Sequence, residues 1–297
     1  MTPISSDLDR KIRQIIRRCG LQAEQMASEG FEVTEKGPED YVTNIDAALD
    51  VQLATAFTDL FPNDGVITEE NRRSRQQFHN NFSRLWCIDP IDGTEDFIHG
   101  RGNYSVMVGL LEDYQPRAGW VYAPSRDQMY FGGVNWGLFE ATGDRDPTPL
   151  PMESRQSSPT APLRMLIGHR DHQRYGAAIV TALPNVEFYF IGSFGLKVLE
   201  VVMGRADLYL YLNRRVKLWD TTGPLSLAKT AGLACCSLEG EPICFVPNAI
   251  DPDTLAHKQA ILIGQPHLIA ELRPKLVAAI HSTSKKSGVR VESDCLY

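Results

Sequence analysis

The chain has 297 residues, of which 43% are hydrophobic and 23% are charged, a composition typical of a globular protein with a sizeable core. Its formal net charge of -7 gives no support for nucleic-acid binding, which normally shows as a basic surface. No stretch approaches the roughly 20 apolar residues of a membrane span, and the charged N-terminal segment lacks the apolar centre of a signal peptide, so we expect neither.

The cysteines indicate a reducing environment. None of the six lies in a Cys-x-x-Cys pair, and Cys87 falls inside the apolar run LWCI. This pattern disfavours both a zinc site and a disulfide framework. Reduced, mostly buried thiols are typical of the cytosol, so we expect a cytoplasmic protein.

The first half of the chain predicts two amphipathic helices followed by short strands. Apolar residues recur at helical spacing over residues 5–28 and again from Ile45 to Leu60, where Thr43 or Asn44 is a suitable N-cap. Five β-like runs follow, separated by Gly, Pro and Asp: DGVIT, RLWCI, YSVMVGLL, RAGWVYAP and QMYFGGV. We expect a mainly antiparallel sheet carrying helices on one side.

The polar, proline-rich residues 143–162 are the best candidate for a domain boundary. Beyond them, the strand-like runs RMLIGH, VEFYFIG and ADLYLYL alternate with helical patterns, the last of which is closed by Gly232. We therefore predict an N-terminal α+β domain, residues 1–150, with metal-binding loops. A C-terminal α/β domain, residues 151–297, is expected to complete the metal and substrate site.

Acidic residues stand at the ends of several predicted elements. Glu69 and Glu70 follow one β-like run, and Asp89 and Asp92 follow the next. Asp220 begins a helix in the second half of the chain. One acidic turn is ordinary, whereas three such groups predict a cation site, because carboxylates and backbone carbonyls are the ligands that Mg²⁺ prefers.

The turn DPIDGT combines features of a metal site and a phosphate site. Its proline fixes one φ angle, so that Asp89 and Asp92 can point into the same space with the Ile91 carbonyl between them. Gly93 allows a close turn, and the amides of Gly93 and Thr94 form a phosphate seat if a short helix begins there. Metals beside a phosphate seat suggest hydrolysis of a phosphate ester.

These motifs resemble the inositol monophosphatase superfamily. DPIDGTEDFIHG and KLWDTTGP are similar to its signatures, and DYVTNIDAALD, ITEEN, GWVYAP and GSFGLKVLEVVMGRADLY occur in the family's order over roughly residues 36–233. The resemblance implies an α+β fold, a layered αβαβα sandwich of the inositol monophosphatase and fructose bisphosphatase type. It also implies a Mg²⁺-dependent phosphomonoesterase with two or three ions, often inhibited by lithium and often a homodimer.

The resemblance also implies roles for individual residues. Metal binding would fall to Glu69, Asp89, the Ile91 carbonyl, Asp92 and Asp220. Asp46 and Thr94 would orient and activate the attacking water, with Glu70 nearby. The amides of Gly93 and Thr94 would hold the phosphate.

The lysines distinguish two branches of the family. Lys197, four residues after Ser193, and Lys217 occur in patterns that resemble the 3'(2'),5'-bisphosphate nucleotidase branch, and a lysine can meet the second phosphate of its substrate. We expect Ser193, Lys197 and Lys217 to bind the substrate. We therefore expect hydrolysis of adenosine 3',5'-bisphosphate to AMP and phosphate. One alternative is an inositol monophosphatase or a broad sugar or polyol phosphatase. Another is a catalytically silent regulator that binds a phosphorylated ligand, supported by departures from the family pattern at Asp96, usually Asn, and at residues 221–224.

Overall fold

The computed structural model describes residues 4–37, 40–80, 82–150 and 161–286. Its helices are α1 (Ser6–Glu29), α2 (Asn44–Leu60), α3 (Thr94–Ile98), α4 (His169–Ala182), α5 (Phe194–Val202), α6 (Leu218–Thr230) and α7 (Pro266–Lys286). Its strands are β1 (Val33–Gly37), β2 (Asp40–Thr43), β3 (Gly65–Thr68), β4 (Arg84–Asp92), β5 (Ser105–Glu112), β6 (Gln115–Ala123), β7 (Gln128–Gly133), β8 (Gly137–Thr142), β9 (Thr148–Pro149), β10 (Leu163–Ile167), β11 (Val186–Tyr189), β12 (Leu208–Tyr211), β13 (Ala234–Cys236) and β14 (Ile261–Gly264).

A reciprocal cap fixes the start of α2. The Thr43 hydroxyl accepts hydrogen bonds from the backbone N–H groups of Ile45 and Asp46, both at 3.2 Å. The Asp46 carboxylate accepts the Thr43 backbone N–H at 2.9 Å. These bonds satisfy N–H groups that the first helical turn leaves unpaired. Thr43 is therefore the N-cap, and Asp46 is held in place by the helix that it begins.

The larger sheet has the strand order β3-β4-β5-β6-β7-β8-β9. Only β3 and β4 pair in parallel, so the sheet is mainly antiparallel, as the sequence predicts. Trp86 and Ile88 of β4 pack with α1 and α2, whereas Cys87 packs with α5 and α6. Successive side chains of a strand point to opposite faces. Helices therefore cover both faces, and the expectation of helices on one side is wrong.

The error has a physical cause. Residues 85–92 of β4 are all buried, which is the pattern of a strand covered on both faces. The helices that cover the second face follow more than a hundred residues later in the chain. A short apolar run does not indicate which distant element will cover it.

The second sheet completes a layered fold. Its order is β11-β10-β12-β14-β13, with β10 parallel to both β11 and β12 and with β14 antiparallel to its neighbours. One face packs against α5, and the other packs against α4 and α7. The layers therefore run α1/α2, large sheet, α5/α6, small sheet, α4/α7. This is the αβαβα sandwich that the sequence resemblance implies.

The predicted division at residue 150 stays a prediction. Residues 151–160 of the proposed boundary segment lie outside the described residues. One apolar cluster joins Leu111 and Leu150 to Leu166 and Trp219, so the core is continuous across the proposed boundary. Strands β13 and β14 and helix α7, which the sequence analysis did not predict, extend the second half.

The described cysteines are free thiols. Cys19, Cys87, Cys235 and Cys236 are buried, and Cys244 is exposed; Cys295 lies outside the described residues. Burial raises the pKa of the Cys87 thiol to about 12, which makes it unreactive near neutral pH. Among the helices of the described ranges, none combines the length and apolar character that crossing a membrane requires.

Helix α6 lies with its backbone directly on the large sheet. A Cβ atom on Gly109 of β5 would lie 2.3 Å from the Gly223 nitrogen, and one on Gly119 of β6 would lie 2.3 Å from the Gly223 oxygen. Side chains at these positions would push the helix away. The three glycines therefore set the distance between α6 and the large sheet. This distance also determines the position of Asp220, which lies one turn earlier in α6.

We expect Gly109→Ala to lower the free energy of unfolding by roughly 1–3 kcal/mol, because overpacking a tight contact commonly costs that much. Urea denaturation measures the change. Gly37→Ala is the control, because a Cβ there would meet no atom within 4 Å. Equal stability of the two variants would show that α6 does not depend on this contact.

Candidate active site

Three carboxylates from two distant parts of the chain meet at one point. Asp89 and Asp92 lie at the end of β4, and Asp220 lies in the first turn of α6. One oxygen of each lies within 4.8 Å of the others, and among the described residues this is the group with the spacing of a metal site. Oxygen ligands of this kind suit Mg²⁺. The donor set therefore fits a hard divalent cation.

Burial makes this cluster electrostatically costly. Asp89 is only 1% exposed, and its burial together with the charges of Glu69, Asp92 and Asp220 raises its pKa well above the usual range. Burial likewise raises the pKa of Asp220 to about 7. Buried like charges disfavour ionisation unless a cation offsets them. The carboxyl groups therefore keep protons near neutral pH or bind a cation.

Asp92 also anchors helix α5. Its Oδ1 accepts the Phe194 N–H at 3.0 Å, and its Oδ2 accepts the Gly195 N–H at 2.9 Å and the Ser193 hydroxyl. The Ser193 hydroxyl in turn accepts the Leu196 N–H at 3.0 Å as the N-cap of α5. Ser193, which the sequence predicts as a substrate contact, is fully buried and directly bonded to Asp92. These bonds join the small-sheet side of the molecule to the carboxylate cluster.

Asp46 and Thr94 lie next to each other, although they are 48 residues apart in sequence. The Thr94 hydroxyl is 3.3 Å from Asp46 Oδ1 and 3.0 Å from the Ile91 carbonyl oxygen, and it can donate to either. Burial raises the pKa of Asp46 to about 6. A carboxylate with this pKa can accept a proton near neutral pH.

Gly93 connects this pair to the cluster. Its φ of 93° belongs to the left-handed region, which favours glycine. A Cβ atom there would lie 2.9 Å from the Ser193 nitrogen and 3.1 Å from the Asn103 oxygen. Glycine therefore allows both the turn into α3 and the close approach of the chain at residues 192–193.

Glu69 and Glu70 are held by lysines. Lys36 Nζ, which comes from β1, lies 3.2 Å from Glu69 and 2.8 Å from Glu70. Lys217 Nζ lies 4.0 Å from Glu69. Burial and the adjacent Glu69 raise the pKa of Glu70 to about 7. Glu69 also lies close enough to the three-carboxylate group to raise the pKa values of Asp89 and Asp220.

Sequence reasoning missed three residues that contact this turn. Lys36 looks like an ordinary surface lysine in the run EVTEKG. Asp50, one helical turn after Asp46, accepts the Thr68 hydroxyl at 2.8 Å and the Glu70 N–H at 3.0 Å. The i, i+4 spacing of two aspartates on α2 is a signal that could have identified Asp50.

The third missed residue is Arg75, in the 3-10 helix Arg72–His79. It donates to the Glu69 carbonyl at 3.3 Å, and its guanidinium carbon lies 5.1 Å from the centre of the Trp219 ring. Arg75 therefore links the segment before Asp220 to the Glu69 turn. Nothing in the local sequence indicates this role.

The two candidate lysines have different surroundings. Lys197 is only 6% exposed; its Nζ donates to the Gly192 carbonyl at 3.3 Å and lies 5.3 Å from the centre of the Tyr209 ring. Burial lowers its pKa, and Asp92 and Asp171 oppose that change. Lys217 is half-buried at the edge of the cluster, and its backbone N–H donates to Asp220 Oδ2 at 2.5 Å.

The departures from the family pattern lie outside the carboxylate group. Asp96 accepts a hydrogen bond from Arg101 and another from the Gly192 N–H, both at 2.9 Å. The Thr221 hydroxyl bonds to His257 Nε2 at 2.8 Å, and the Thr222 hydroxyl donates to the Leu218 carbonyl at 2.7 Å. These polar groups therefore have local partners.

Known proteins resemble this chain over most of its length. The profile of the inositol monophosphatase family matches residues 6–282. The chain is 25% identical to an inositol-1-monophosphatase of Bacillus subtilis, covering 82% of this chain and 90% of that protein. It is 26% identical to a 3'(2'),5'-bisphosphate nucleotidase CysQ of Haemophilus influenzae, covering 89% and 95%. The structure of a Thermotoga maritima IMPase superposes with a TM-score of 0.74 at 19% identity, covering 94% and 100%.

We expect the metal-free protein to lose stability as pH rises from about 4 to 7. Buried Asp46 and half-buried Glu70 and Asp220 have pKa values of about 6, 7 and 7 in the folded protein, against ordinary values of 3.8 to 4.5. In this interval the folded state holds protons that the unfolded chain releases, so rising pH favours unfolding. Each pKa unit corresponds to about 1.4 kcal/mol per group.

Chemical denaturation at pH 5 and pH 7.5, in chelator and in saturating Mg²⁺, measures this effect. Mg²⁺ should remove the loss at pH 7.5, because a bound cation favours the ionised carboxylates. Equal stability at both pH values in chelator would contradict the expectation.

Proposed function

The chain belongs to the inositol monophosphatase family and is a phosphoric monoester hydrolase, and on this premise we propose that it hydrolyses adenosine 3',5'-bisphosphate to AMP and phosphate with bound Mg²⁺. The observation that carries the proposal is the group of buried Asp89 and Asp92 with half-buried Asp220. These carboxylates, with Glu69 and the Ile91 carbonyl, would hold two or three ions. Bound Mg²⁺ would polarise the phosphate and lower the pKa of a water molecule.

Asp46 and Thr94 are suited to direct the attacking water. When the Thr94 hydroxyl donates to Asp46 Oδ1, at 3.3 Å, its oxygen is left to accept a proton from water. The raised pKa of Asp46, about 6, lets this carboxylate take the proton near neutral pH. Glu70, held by Lys36 and by Asp50, is a further acidic group near this position.

The turn into α3 would hold the phosphate. Gly93 and Thr94 start this helix, where backbone N–H groups point away from the helix and attract anions. The left-handed φ of Gly93 allows the tight turn that leads into these N–H groups. This arrangement would place the phosphorus beside both the carboxylate cluster and the Asp46–Thr94 pair.

Two features support a nucleotide with a second phosphate. Lys217 supplies a half-buried positive charge 4.0 Å from Glu69, at the edge of the carboxylate cluster. The rings of His169 and Phe190, both exposed, stack with centres 4.5 Å apart. Phe190 is two residues from Gly192, which approaches Gly93, so the Cα atom of Phe190 lies within roughly 7 Å of the Cα atom of Gly192. Exposed rings favour stacking on a nucleobase.

Two alternatives remain distinct in their consequences. An inositol monophosphatase or broader sugar or polyol phosphatase would use the same carboxylates without needing Lys217 or the aromatic rings. A silent regulator would bind a phosphorylated ligand without turnover; its support came from Asp96 and residues 221–224, whose polar side chains bond locally. A homodimer and inhibition by lithium stay predictions from the family resemblance, and a cytoplasmic location stays a prediction from the cysteines.

We expect phosphomonoesterase activity to require Mg²⁺ and to vanish in chelator. Asp220→Asn should lower kcat by roughly 10² or more, because one electrostatic group at a reacting centre commonly contributes that much. The fold should survive, since the amide oxygen can still accept the Lys217 N–H. Circular dichroism and a phosphate-release assay measure the two effects. Full activity in chelator would contradict the cation site, and Mg²⁺ binding without turnover of any phosphomonoester would favour the silent regulator.

The substrate is tested by comparing kcat/KM for adenosine 3',5'-bisphosphate and inositol 1-phosphate in Mg²⁺. We expect the nucleotide to be preferred. Lys217→Ala should lower kcat/KM for the bisphosphate far more than for the monoester, because only the bisphosphate has a second phosphate to meet the lysine. Lys197→Ala should lower both, since the buried Lys197 holds the Gly192 carbonyl. The proposal thus differs from the expectation from the sequence: Lys197 supports the site, and Lys217 alone meets the second phosphate. Exposed Lys275→Ala is the control, and a preference for the inositol ester would overturn the nucleotide proposal.

A further inference from the structure

The turn that carries Glu69 and Glu70 is held by groups from outside it. The Glu69 N–H donates to the Ile88 carbonyl at 3.2 Å, which continues the pairing of β3 with β4. The Thr68 N–H donates to the Ser74 hydroxyl at 3.1 Å. The Glu69 carbonyl accepts a hydrogen bond from Arg75 at 3.3 Å. The turn is thus built to present its two glutamates in one conformation.

Asp50 holds the remaining side of this turn. It is only 3% exposed, and each of its carboxylate oxygens has a partner: Oδ2 accepts the Thr68 hydroxyl at 2.8 Å, and Oδ1 accepts the Glu70 N–H at 3.0 Å. Helix α2 places Asp50 one turn after Asp46. One rigid helix therefore supports both Asp46 and the glutamate turn.

We propose that Asp50 is a positioning residue for metal binding: its two hydrogen bonds hold the Thr68–Glu70 segment so that Glu69 faces the Asp89, Asp92 and Asp220 cluster. The inference rests on the proposed function, because it concerns the same metal site. Asp50 itself lies behind the turn, bonded to the backbone of Glu70 and the side chain of Thr68, so it acts through these residues and does not contact the metal.

The contacts explain why a hydrogen-bonding side chain of this length is needed. Without Asp50, the hydroxyl of fully buried Thr68 and the N–H of half-buried Glu70 would lose their acceptor. An unpaired buried polar group is unfavourable, so the turn would shift to find new partners. Lys36 contacts both glutamates. Without the hydrogen bonds of Asp50 on the other side of the turn, its attraction would displace the two side chains.

Binding of Mg²⁺ alone tests the proposal by isothermal titration calorimetry on the full chain. Asp50→Ala should raise the dissociation constant roughly 10- to 100-fold, the usual effect of removing a group that orients a metal ligand. Asp50→Asn should change it by less than about threefold, because an amide can accept the Glu70 N–H and donate to the Thr68 oxygen. At saturating Mg²⁺, the KM of Asp50→Ala for its phosphoester should stay near that of the wild type.

Asp64→Ala is the matched control. Asp64 is also a carboxylate that supports the large sheet, accepting the Trp86 Nε1–H at 2.9 Å and pairing with Arg84 at 3.5 Å, away from the glutamate turn. Its loss should lower thermal stability without changing Mg²⁺ affinity. If Asp50→Ala does not fold, Asp50→Ser replaces it, because serine keeps a polar group but is too short to span both partners.

The outcomes separate this inference from the proposed function. A wild-type protein that binds no Mg²⁺ would overturn both. Wild-type binding with unchanged affinity in Asp50→Ala would overturn only the positioning role. Equal weakening in Asp50→Ala and Asp50→Asn would show that the charge of Asp50 matters and its hydrogen bonds do not, which also overturns the proposal.

Discussion

Mutual repulsion among buried carboxylates is the constraint on which this structure depends. Asp89, Asp92 and Asp220 converge within 4.8 Å, and Glu69 adds a further negative charge beside them. Such a cluster opposes folding at neutral pH unless protons or a cation offset its charge. The fold tolerates this cost because each carboxylate is fixed by bonds that the surrounding elements would need in any case.

Three carboxylates of the site accept backbone N–H groups at the N-terminus of a helix. Asp46 and Asp220 both occupy the third position of a helix, and in each case Oδ2 accepts the N–H of the N-cap residue. Asp92 similarly accepts N–H groups from the first turn of α5. Carboxylates are favourable at helix N-termini, where they satisfy unpaired donors and interact with the helix dipole. Ordinary bonds at helix N-termini therefore fix the positions of these three carboxylates.

The layers bring these caps together. Helix α6 lies directly on β5 and β6 because Gly109, Gly119 and Gly223 leave no side chains between them. Helix α5 lies between the two sheets and is tied to the end of β4 through Ser193 and Asp92. A shift of either helix would separate carboxylates from two halves of the chain. The packing of the central helical layer, α5 and α6, therefore determines the geometry of the site.

The sequence by itself determined the local structure: the α2 cap at Thr43 or Asn44, most strands of the large sheet, the DPIDGT turn and the acidic candidates, because these depend on neighbouring residues and on periodicity. It did not reveal that helices cover both faces of the large sheet, that Lys36, Asp50 and Arg75 hold the glutamate turn, or that Lys197 is buried against Gly192. These features are contacts between residues far apart in the chain. In the sequence, a lysine or aspartate that will lie on a solvated surface cannot be distinguished from one that will lie in a buried site. Only tertiary packing therefore decided the roles of Lys36, Asp50, Arg75 and Lys197.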